Sequence, residues 1–345
     1  MLLTCTLNHK PEGGITMKSA KSLNGKLTIV DIPIPEVTDQ SVLVKTDYSA
    51  MSTGTELMVL GWAQSDVFLG YSATGIVQSV GKDVTHVKAG QRVACYGVPT
   101  HGEYFLGYKH HVTPVPDHVD PQEAAFAGIA SIGVQALRQA DLRFGETVVV
   151  LGLGILGQLI AQLARAAAFR VIAVDHMEER CDLMDSTGLL KACRNGDEVK
   201  EQLLQLTGGK GADAVLICAS SKTHRLVDQG IEWIRDKGKV VIVGDTNTEF
   251  DRNALFAKEA QITISRAGGA GRYDQEYEKE GKDYPYGYIR WTMGRNLEEF
   301  VRLLADGRLN IKPLITGVYS LETMETGYRQ AKEAPRETMG LMVKF

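Results

Sequence analysis

The first third of the chain alternates apolar and polar residues in short runs. Residues 26–30, 41–46 and 75–80 are such runs, and glycine or proline turns separate them. Alternation with a period of two, bounded by turn residues, is typical of strands that bury one face. Residues 1–126 are therefore predicted to form a β-rich domain with antiparallel sheets.

From residue 127 the apolar residues recur at helical spacing, and these segments alternate with short, fully apolar runs. Two of the runs, at residues 214–218 and 238–244, are typical of buried parallel strands. The alternation predicts a doubly wound α/β domain over residues 127–267. Residues 268–345 then bring an irregular segment, an amphipathic helix and two further strands, which predicts a lid and a return to the first domain.

The apolar run at residues 147–151 leads into a turn with the spacing G-x-G-x-x-G, made by Gly152, Gly154 and Gly157. The first glycine permits a tight turn, the second lets the backbone approach a pyrophosphate, and the third lets the next helix pack closely on the strand. A helical pattern and a second strand, residues 170–175, follow, as this motif requires. The turn therefore predicts a dinucleotide site, with phosphate at the helix N-terminus.

Asp175 ends the second strand, eighteen residues after Gly157. A carboxylate there accepts hydrogen bonds from the adenosine ribose and repels a 2′-phosphate, so the predicted cofactor is NAD. In the alternative interpretation, Asp175 caps the next helix and Arg180 is an ordinary surface charge. Further cofactor contacts are predicted at the glycine turn and at strand ends: Ile155, Leu156, Arg180, Ser131, Cys218, Ala219, Ser220, Gly244 and Asp245.

Composition limits the class of partner. The 345 residues carry a net charge of −4 without a basic run, which disfavours nucleic acid and anionic membranes and favours a small molecule. No apolar run approaches the roughly twenty residues of a membrane span, and the N-terminus lacks a signal-peptide pattern, so a cytoplasmic protein is expected. The five cysteines are widely spaced without a C-x-x-C pair, which fits a reducing compartment.

The order of these segments resembles the medium-chain dehydrogenase/reductase family, in which a Rossmann domain interrupts a GroES-like catalytic domain. The resemblance covers nearly all of residues 17–345, and Met17 matches the usual family start, so residues 1–16 are interpreted as an extension or an early start codon. Besides the glycine turn, the motifs that carry it are residues 54–56, 70–75, 90–93 and 306–314. Residues 287–292 further resemble a zinc-type branch that includes proteins joined to a sugar-oxidoreductase module.

The chain departs from the family pattern at the zinc ligands. In the zinc alcohol dehydrogenases of this family, a cysteine, a histidine-glutamate pair and a third ligand hold the metal. The resemblance assigns those positions to Ser52 or Thr53, to Tyr71 with Ser72, and to Gly128. None of these is a usual zinc ligand, and the segment for a four-cysteine structural lobe is too short. We therefore expect no bound metal.

A competing metal site would use His101, His110 and His111. The two adjacent histidines are predicted to lie on a strand, where neighbouring side chains point to opposite faces. That geometry disfavours a shared ion.

Without zinc, another group must take the proton of the hydroxyl that is oxidised. Tyr71 stands at the position of the lost histidine and Ser52 beside that of the lost cysteine. His101 and Glu103 lie in the loop that replaces the missing lobe. These four residues are the predicted catalytic candidates. For Tyr71 the alternative is a packing role, in which its ring fills the volume left by the metal.

Residues 268–291 form a long connection with five tyrosines. Long connections in compact domains are typical of active-site lids, and aromatic faces with hydrogen-bonding edges suit a sugar or cyclitol. Tyr288 and Arg290, together with Tyr104, are the predicted substrate contacts. A contact between subunits is the other interpretation, because interfaces favour tyrosine and arginine.

These observations predict an NAD-dependent oxidoreductase that transfers hydride between nicotinamide and a secondary alcohol or ketone of a sugar, cyclitol or polyol, without catalytic zinc. Two alternatives stay open: an enone or quinone reductase of the same fold, which would usually take NADPH, and a protein that binds NAD without catalysis. A homo-oligomer, either dimer or tetramer, is expected through residues 296–314 and the strand before Arg266.

Overall fold

A computed structural model describes residues 15–345 of the chain. These residues divide into two compact units. The first unit contains the residues up to Ser131 together with Ala270–Ala305 and Ile315–Phe345. The second contains Ile132–Gly269 and Asp306–Leu314. The chain leaves the first unit, forms the second and returns to the first.

The first unit contains two sheets. In the smaller sheet, β1 (Thr16–Leu23) pairs antiparallel with β2 (Lys26–Pro33) and with β4 (Asp66–Phe68). The larger sheet is formed by β3 (Ser41–Met51), β5 (Ser72–Val80), β6 (Arg92–Tyr96), β7 (Tyr104–Tyr108), β8 (Val112–Pro114), β15 (Ile315–Tyr319) and β16 (Gly340–Lys344). Its order is β15-β16-β3-β5-β6-β8, and β7 also pairs with β3.

The alternation predicted for this unit is visible in β3. Val42, Val44 and Thr46 are buried, whereas Lys45 is exposed. The buried valines pack with residues of the neighbouring strands, including Phe105, in one apolar cluster. Apart from the parallel pair of β15 and β16, the strands of this sheet pair antiparallel. The predicted β-rich, GroES-like fold class is confirmed.

The second unit contains one parallel sheet. Its strands are β9 (Thr147–Leu151), β10 (Arg170–Val174), β11 (Ala192–Cys193), β12 (Ala212–Ile217), β13 (Ile234–Ile242) and β14 (Gln261–Ile264). They pair in the order β11-β10-β9-β12-β13-β14, which is the 3-2-1-4-5-6 order of doubly wound dinucleotide-binding folds. All five residues of β9 are buried, as expected for a strand covered on both faces. The edge strand β14, for which the sequence predicts a subunit contact, exposes Ile264.

The described residues also form helices. These are α1 (Thr53–Leu60), α2 (Pro121–Ala124), α3 (Ala127–Ala140), α4 (Ile155–Ala166), α5 (Glu178–Ser186), α6 (Gly196–Thr207), α7 (Leu226–Trp233), α8 (Arg252–Ala257), α9 (Gln275–Glu278), α10 (Met293–Ala305) and α11 (Met324–Glu333). Within residues 15–345, none of them has the length and apolar character needed to span a membrane.

The structure differs from the sequence-based boundaries at Asp306–Leu314, which the prediction assigned to the returning domain. These residues belong to the second unit. Asn310 explains the difference, because its N–H donates to Gln162 Oε1 at 2.8 Å and its side-chain amide donates to the carbonyl of Thr187 at 3.0 Å. Gln162 is fully buried on α4, so these bonds satisfy polar groups that would otherwise be unpaired in the core.

The prediction that His110 and His111 lie on a strand is wrong. They lie in the turn between β7 and β8, where the N–H of His111 donates to the carbonyl of Tyr108 at 2.8 Å. The two rings nevertheless have different surroundings. His110 stacks on Tyr277, and the buried ring of His111 packs edge-on against Tyr108. His101 lies elsewhere in the first unit, beside Ser49 and Glu56.

Candidate functional site

The glycine turn of the second unit is shaped by close backbone contacts. Gly152 has a φ of +98°, and a Cβ there would lie 2.6 Å from the backbone nitrogen of Ala219. A Cβ on Gly157 would lie 1.8 Å from the carbonyl oxygen of Gly152. Both positions therefore require glycine, and α4 packs directly against the end of β9, as the motif predicts.

Gly154 differs from the other two glycines of the turn because, within residues 15–345, no atom outside its own local backbone lies within 4 Å of the position that its Cβ would take. It is the N-cap of α4, and no side chain caps the helix there. The first N–H groups of α4, including those of Ile155 and Leu156, lack the usual intrahelical partners. Open space next to unpaired N–H groups at the positive end of a helix dipole fits a pyrophosphate.

Asp175 is buried at the end of β10 and is tied to the glycine turn. Its Oδ2 accepts a hydrogen bond from the N–H of Leu153 at 2.7 Å, and its Oδ1 accepts one from the N–H of Met177 at 2.9 Å. Arg180 Nη1 lies 3.4 Å from Oδ2. The carboxylate thus bends the chain just before α5, but it does not cap that helix, whose N-cap is Met177 without a side-chain cap. It also stands beside the turn, as the ribose-binding interpretation requires.

The other predicted cofactor residues follow strand ends or lie in a helix. Ala219 lies between two glycines, because a Cβ on Gly244 would approach its carbonyl oxygen to 2.6 Å. The structure thereby brings Cys218, Ala219 and Gly244 to the glycine turn, whereas it shows no contact of the exposed Ser220 with the turn among the described residues. Asp245 is exposed and forms an ion pair with Lys222 at 2.6 Å. Ser131 is buried in α3, where its Oγ donates to the carbonyl of Ala127 at 2.7 Å.

The first unit joins two of the predicted catalytic residues directly. The hydroxyl of Tyr71 donates a hydrogen bond to Ser52 Oγ at 2.6 Å. Burial raises the pKa of Tyr71 to about 12, with the nearby Glu56 adding to the increase. The Tyr71 ring also meets Tyr96 edge-on, with 6.0 Å between the ring centroids. This phenol is therefore held in one place and stays protonated at neutral pH.

Glu56 is the centre of the polar cluster behind Ser52. The buried Glu56 accepts hydrogen bonds from the N–H of Ser52 at 3.0 Å, from the N–H of Gly70 at 3.2 Å and from the hydroxyl of Tyr328 at 2.8 Å. It lies in the first turn of α1, where the helix dipole favours a carboxylate. Burial beside Glu56 raises the pKa of Tyr328 well above its usual value.

His101 lies beside Glu56 in the same polar cluster. Its Nε2 lies 3.2 Å from Glu56 Oε1, and its Nδ1 lies 2.7 Å from Ser49 Oγ. The side chain is fully buried. The structure thus places His101 beside Glu56 and Ser49 and away from the exposed surface, and Nε2 makes no hydrogen bond among the described residues.

Two of the positions that the resemblance assigns to zinc ligands, Ser72 and Gly128, are joined by hydrogen bonds and close packing. Ser72 Oγ donates to the carbonyl of Ala125 at 2.6 Å and accepts from the N–H of Gly128 at 2.8 Å. A Cβ on Gly128 would lie 2.8 Å from Ser72 Cβ and 2.9 Å from the carbonyl oxygen of Tyr71. The close contact leaves no room for a side chain at residue 128.

In the described part of the chain, Glu103 and Tyr104 contact β1 and β3 and not the polar cluster around Glu56. The exposed carboxylate of Glu103 accepts a hydrogen bond from the N–H of Lys18 at 2.7 Å. Tyr104 begins β7 and pairs with Lys45 of β3. Glu103 therefore anchors β1, a role that the sequence did not predict.

The tyrosine-rich segment divides into packed and exposed residues. Tyr277 is buried with its ring stacked on His110 and on Tyr284, at centroid distances of 4.2 and 5.4 Å. Tyr288, a predicted substrate contact, is 91% exposed. The guanidinium of Arg290 lies 4.7 Å from the ring centroid of Trp291.

Comparison with known families agrees with the fold. The family model for the alcohol dehydrogenase GroES-like domain matches residues 38–140. The family model for zinc-binding dehydrogenase matches residues 156–280. A doubly wound sheet with a dinucleotide-binding turn and a GroES-like domain in one chain define a class of nicotinamide-dependent enzymes. The chain belongs to the medium-chain dehydrogenase/reductase family of oxidoreductases.

Individual relatives are distant. The chain is 28% identical to D-guloside 3-dehydrogenase of Escherichia coli K12, over 80% of this chain and 77% of that protein. It is 23% identical to D-xylulose reductase of Saccharomyces cerevisiae, over 93% and 95% of the two chains. A crystal structure from Sinorhizobium meliloti 1021 with NADP bound has a TM-score of 0.76 at 21% identity, and the match covers 96% of this chain and 100% of that one. This last likeness shows the fold alone.

Proposed function

We propose that the chain is an NAD-dependent oxidoreductase that transfers hydride between nicotinamide and a secondary alcohol or ketone of a sugar, cyclitol or polyol, and that it works without catalytic zinc. The observation that carries this proposal is the hydrogen bond between Tyr71 and Ser52, two residues that the family resemblance assigns to positions of metal ligands in the zinc enzymes. A protonated phenol takes the place of the metal there.

The glycine turn fits the dinucleotide. Gly154 and the N-terminus of α4 would hold the pyrophosphate, and Asp175 would hold the adenosine ribose. When bound, the nicotinamide ring supplies the hydride acceptor or donor. Binding, orientation and proton transfer are then the tasks of the chain's own residues.

Asp175 supports NAD over NADP. A carboxylate favours the two ribose hydroxyls and repels a 2′-phosphate, whereas Arg180 beside it could attract one. The fold likeness to an NADP-bound protein does not decide this point, because the residue at the strand end sets the preference.

Replacing Asp175 tests the cofactor preference. In Asp175→Ser the repulsion of a 2′-phosphate is lost while Arg180 stays, so we expect the ratio of NAD to NADP affinity to fall by about tenfold or more. Titration of both dinucleotides measures it. Asp182→Ser, which removes an exposed carboxylate of α5, is the matched control. An unchanged NAD affinity in Asp175→Ser would show that the residue serves the local turn alone.

The donor set does not fit zinc. Structural and catalytic zinc sites use thiolates, imidazoles and carboxylates, whereas the three positions here offer hydroxyl groups and a glycine. The hydroxyl of Tyr71 donates a hydrogen bond to that of Ser52. The hydroxyl of Ser72 donates a hydrogen bond to the carbonyl of Ala125 and accepts one from the N–H of Gly128. We derive no step through a metal.

Tyr71 supplies the proton chemistry in this proposal. In ketone reduction its O–H donates to the carbonyl oxygen and releases its proton to that oxygen as hydride reaches the carbon. In alcohol oxidation the phenolate must take the proton back. Because burial raises the pKa of Tyr71 to about 12, the protonated acid dominates at neutral pH. The free enzyme is therefore in the form that reduction uses, and oxidation draws on the small phenolate fraction.

A polar substrate fits both the chemistry and the relatives. The two relatives act on a guloside and on xylulose by their names, and the cluster around Tyr71 offers hydroxyl groups for hydrogen bonds. A site that binds substrate hydroxyls discriminates strongly against analogues that lack them. We therefore assign sugars, cyclitols and polyols as the substrate class.

A panel assay tests the proposal. Purified protein is mixed with NAD and a set of sugars, cyclitols and polyols, and with NADH and the matching ketones, while NADH absorbance is followed. We expect turnover of at least one pair. Consumption of NADPH with enones or quinones, together with no reaction on the panel, would assign the reductase alternative. Binding of NAD without any turnover would assign a non-catalytic protein.

A further inference from the structure

Gln158 is a buried polar residue in the first turn of α4, directly after the last glycine of the dinucleotide turn. Its side chain is fully buried. The amide nitrogen Nε2 donates one hydrogen bond to the carbonyl of Leu153 at 3.3 Å and a second to the carbonyl of Arg180 at 2.8 Å. Both donors of the amide group therefore bind backbone carbonyls, one in the glycine turn and one in α5.

The acceptor oxygen of the same amide has different surroundings. Within residues 15–345, Gln158 Oε1 is buried and has no hydrogen-bond partner. A buried acceptor without a partner lowers stability, and an apolar side chain of the same length would avoid that loss. An apolar residue could not supply the two bonds of the nitrogen, so these bonds point to a function for the amide at this position.

Arg180, to which Gln158 donates, lies beside Asp175. Arg180 Nη1 is 3.4 Å from Asp175 Oδ2, and the same oxygen accepts a hydrogen bond from the N–H of Leu153 at 2.7 Å. Leu153 thus donates to Asp175 and accepts from Gln158. These four residues form a closed set of contacts, the Asp175 network, which joins the glycine turn, the end of β10, α5 and α4.

Two further contacts hold Asp175 from the side of α5. Cys181 Sγ donates to the backbone carbonyl of Asp175 at 3.4 Å, and the N–H of Met177 donates to Oδ1 at 2.9 Å. A carboxylate has about four lone-pair sites in all, so lone pairs are left for other donors after these bonds. Asp175 is thus fixed in position and still able to accept hydrogen bonds from a ribose.

We propose that Gln158 is a positioning residue for cofactor selection. Its amide ties α5 to the glycine turn, and this tie keeps the Asp175 carboxylate oriented towards the ribose hydroxyls and keeps Arg180 paired with Asp175. The inference rests on the proposed function, in which NAD binds at Asp175. It adds that the choice of NAD over NADP depends on a buried residue of α4 as well as on the carboxylate.

The orientation matters because one carboxylate binds two ribose hydroxyls, and hydrogen bonds weaken steeply when their angles depart from linearity. A first turn of α5 that is no longer tied to α4 lets the carboxylate move out of line. It also frees Arg180 to bind a 2′-phosphate, for which a guanidinium is well suited. Loss of the two amide bonds should therefore weaken the binding of NAD more than that of NADP.

Gln158→Met tests the proposal, because methionine has nearly the same length and volume and lacks the two donors. We expect the NAD affinity to fall by about fivefold or more and the NADP affinity to change by less than about twofold. Calorimetric titration of both dinucleotides measures these affinities without any turnover. Gln158→Glu is the second variant. Burial raises the pKa of a carboxyl group, so its protonated form keeps one donor and should lower the ratio less.

A double-mutant cycle shows whether Gln158 acts through Asp175. Asp175→Ser removes the carboxylate, so adding Gln158→Met to that variant should change the NAD affinity by less than about twofold. A residue that only stabilises the fold would lower the NAD affinity equally with and without the carboxylate.

Gln162→Met is the matched control, because Gln162 is the same residue type, four positions further along α4, and is also fully buried. Its amide exchanges hydrogen bonds with the backbone of Asn310, so the substitution removes buried bonds of the same kind outside the Asp175 network. Thermal unfolding should show that both methionine variants lower Tm to a similar extent. The ratio of NAD to NADP affinity should stay unchanged in Gln162→Met.

Three results would overturn the inference. They are equal losses of NAD and NADP affinity in Gln158→Met, the same loss of NAD affinity in the Asp175→Ser background, and an equal fall of the ratio in Gln162→Met. If the wild type binds neither dinucleotide, or binds NADP as tightly as NAD, the cofactor assignment of the proposed function fails instead.

Discussion

Tyr71→Phe should lower kcat/KM for ketone reduction and for alcohol oxidation by about 10²- to 10⁴-fold, the usual contribution of a positioned general acid or base. The substitution removes the hydroxyl that donates to Ser52 Oγ and leaves the ring against Tyr96. Packing is thus preserved, and NAD affinity should be unchanged. Steady-state kinetics in both directions, together with a dinucleotide titration, measure the effect.

The pH profile separates catalysis from packing. The pKa of Tyr71 is raised to about 12, so the phenolate that oxidation needs is a small fraction at neutral pH and grows about tenfold per pH unit. Wild-type oxidation should therefore accelerate from about pH 7 to pH 10, while reduction, which uses the protonated form, should stay nearly constant.

Tyr286→Phe, which changes an exposed tyrosine, should behave like the wild type in both directions. If Tyr71→Phe keeps more than about a tenth of the wild-type activity, the phenol is a packing residue and another group carries the proton.

Glu56→Ala should lower the free energy of unfolding by about 3–5 kcal/mol, because it leaves buried donors without their acceptor. The N–H groups of Ser52 and Gly70 and the hydroxyl of Tyr328 all donate to this carboxylate. The substitution also removes the hydrogen bond from the N–H of Ser52 to Glu56, which positions Ser52 for its hydrogen bond with Tyr71. We therefore expect kcat to fall together with the stability. Urea unfolding and steady-state kinetics measure the two effects.

Glu56→Gln is the matched control for the Glu56 prediction. It keeps the shape and one acceptor oxygen, so we expect a smaller loss of about 1–2 kcal/mol. A loss below about 1 kcal/mol in Glu56→Ala would contradict the role of Glu56 as the centre of the cluster.

The fold of the second unit could be predicted because its signals are local. The buried run at Thr147–Leu151, the three glycines and the strand that ends before Asp175 are adjacent in sequence, and each has one structural solution. The segment Asp306–Leu314 could not be assigned in the same way. Its place in the second unit depends on hydrogen bonds between Asn310 and Gln162, 148 residues apart.

The part of the candidate site that has local signals in the sequence could also be predicted. Ser52 and Tyr71 stand out because they replace expected ligands, and Glu56 had a local signal, since an acidic residue four positions after Ser52 begins a helix. Tyr328 had none, because it reaches Glu56 from 272 residues away. Glu103 was predicted as a catalytic candidate because its loop is polar. In the structure its carboxylate accepts a hydrogen bond from the backbone N–H of Lys18 in β1, a contact that the sequence does not indicate.

The central claim is hydride transfer without zinc, and one measurement tests it most directly. Tag-free protein is dialysed against a strong chelator, its metal content is determined, and NADH formation with the best polyol of the panel is followed. We predict less than ~0.1 zinc per chain and an undiminished rate, because the hydroxyls of Ser52, Tyr71 and Ser72 form no zinc site. About one zinc per chain, with activity that is lost on chelation and restored by zinc, would contradict the account.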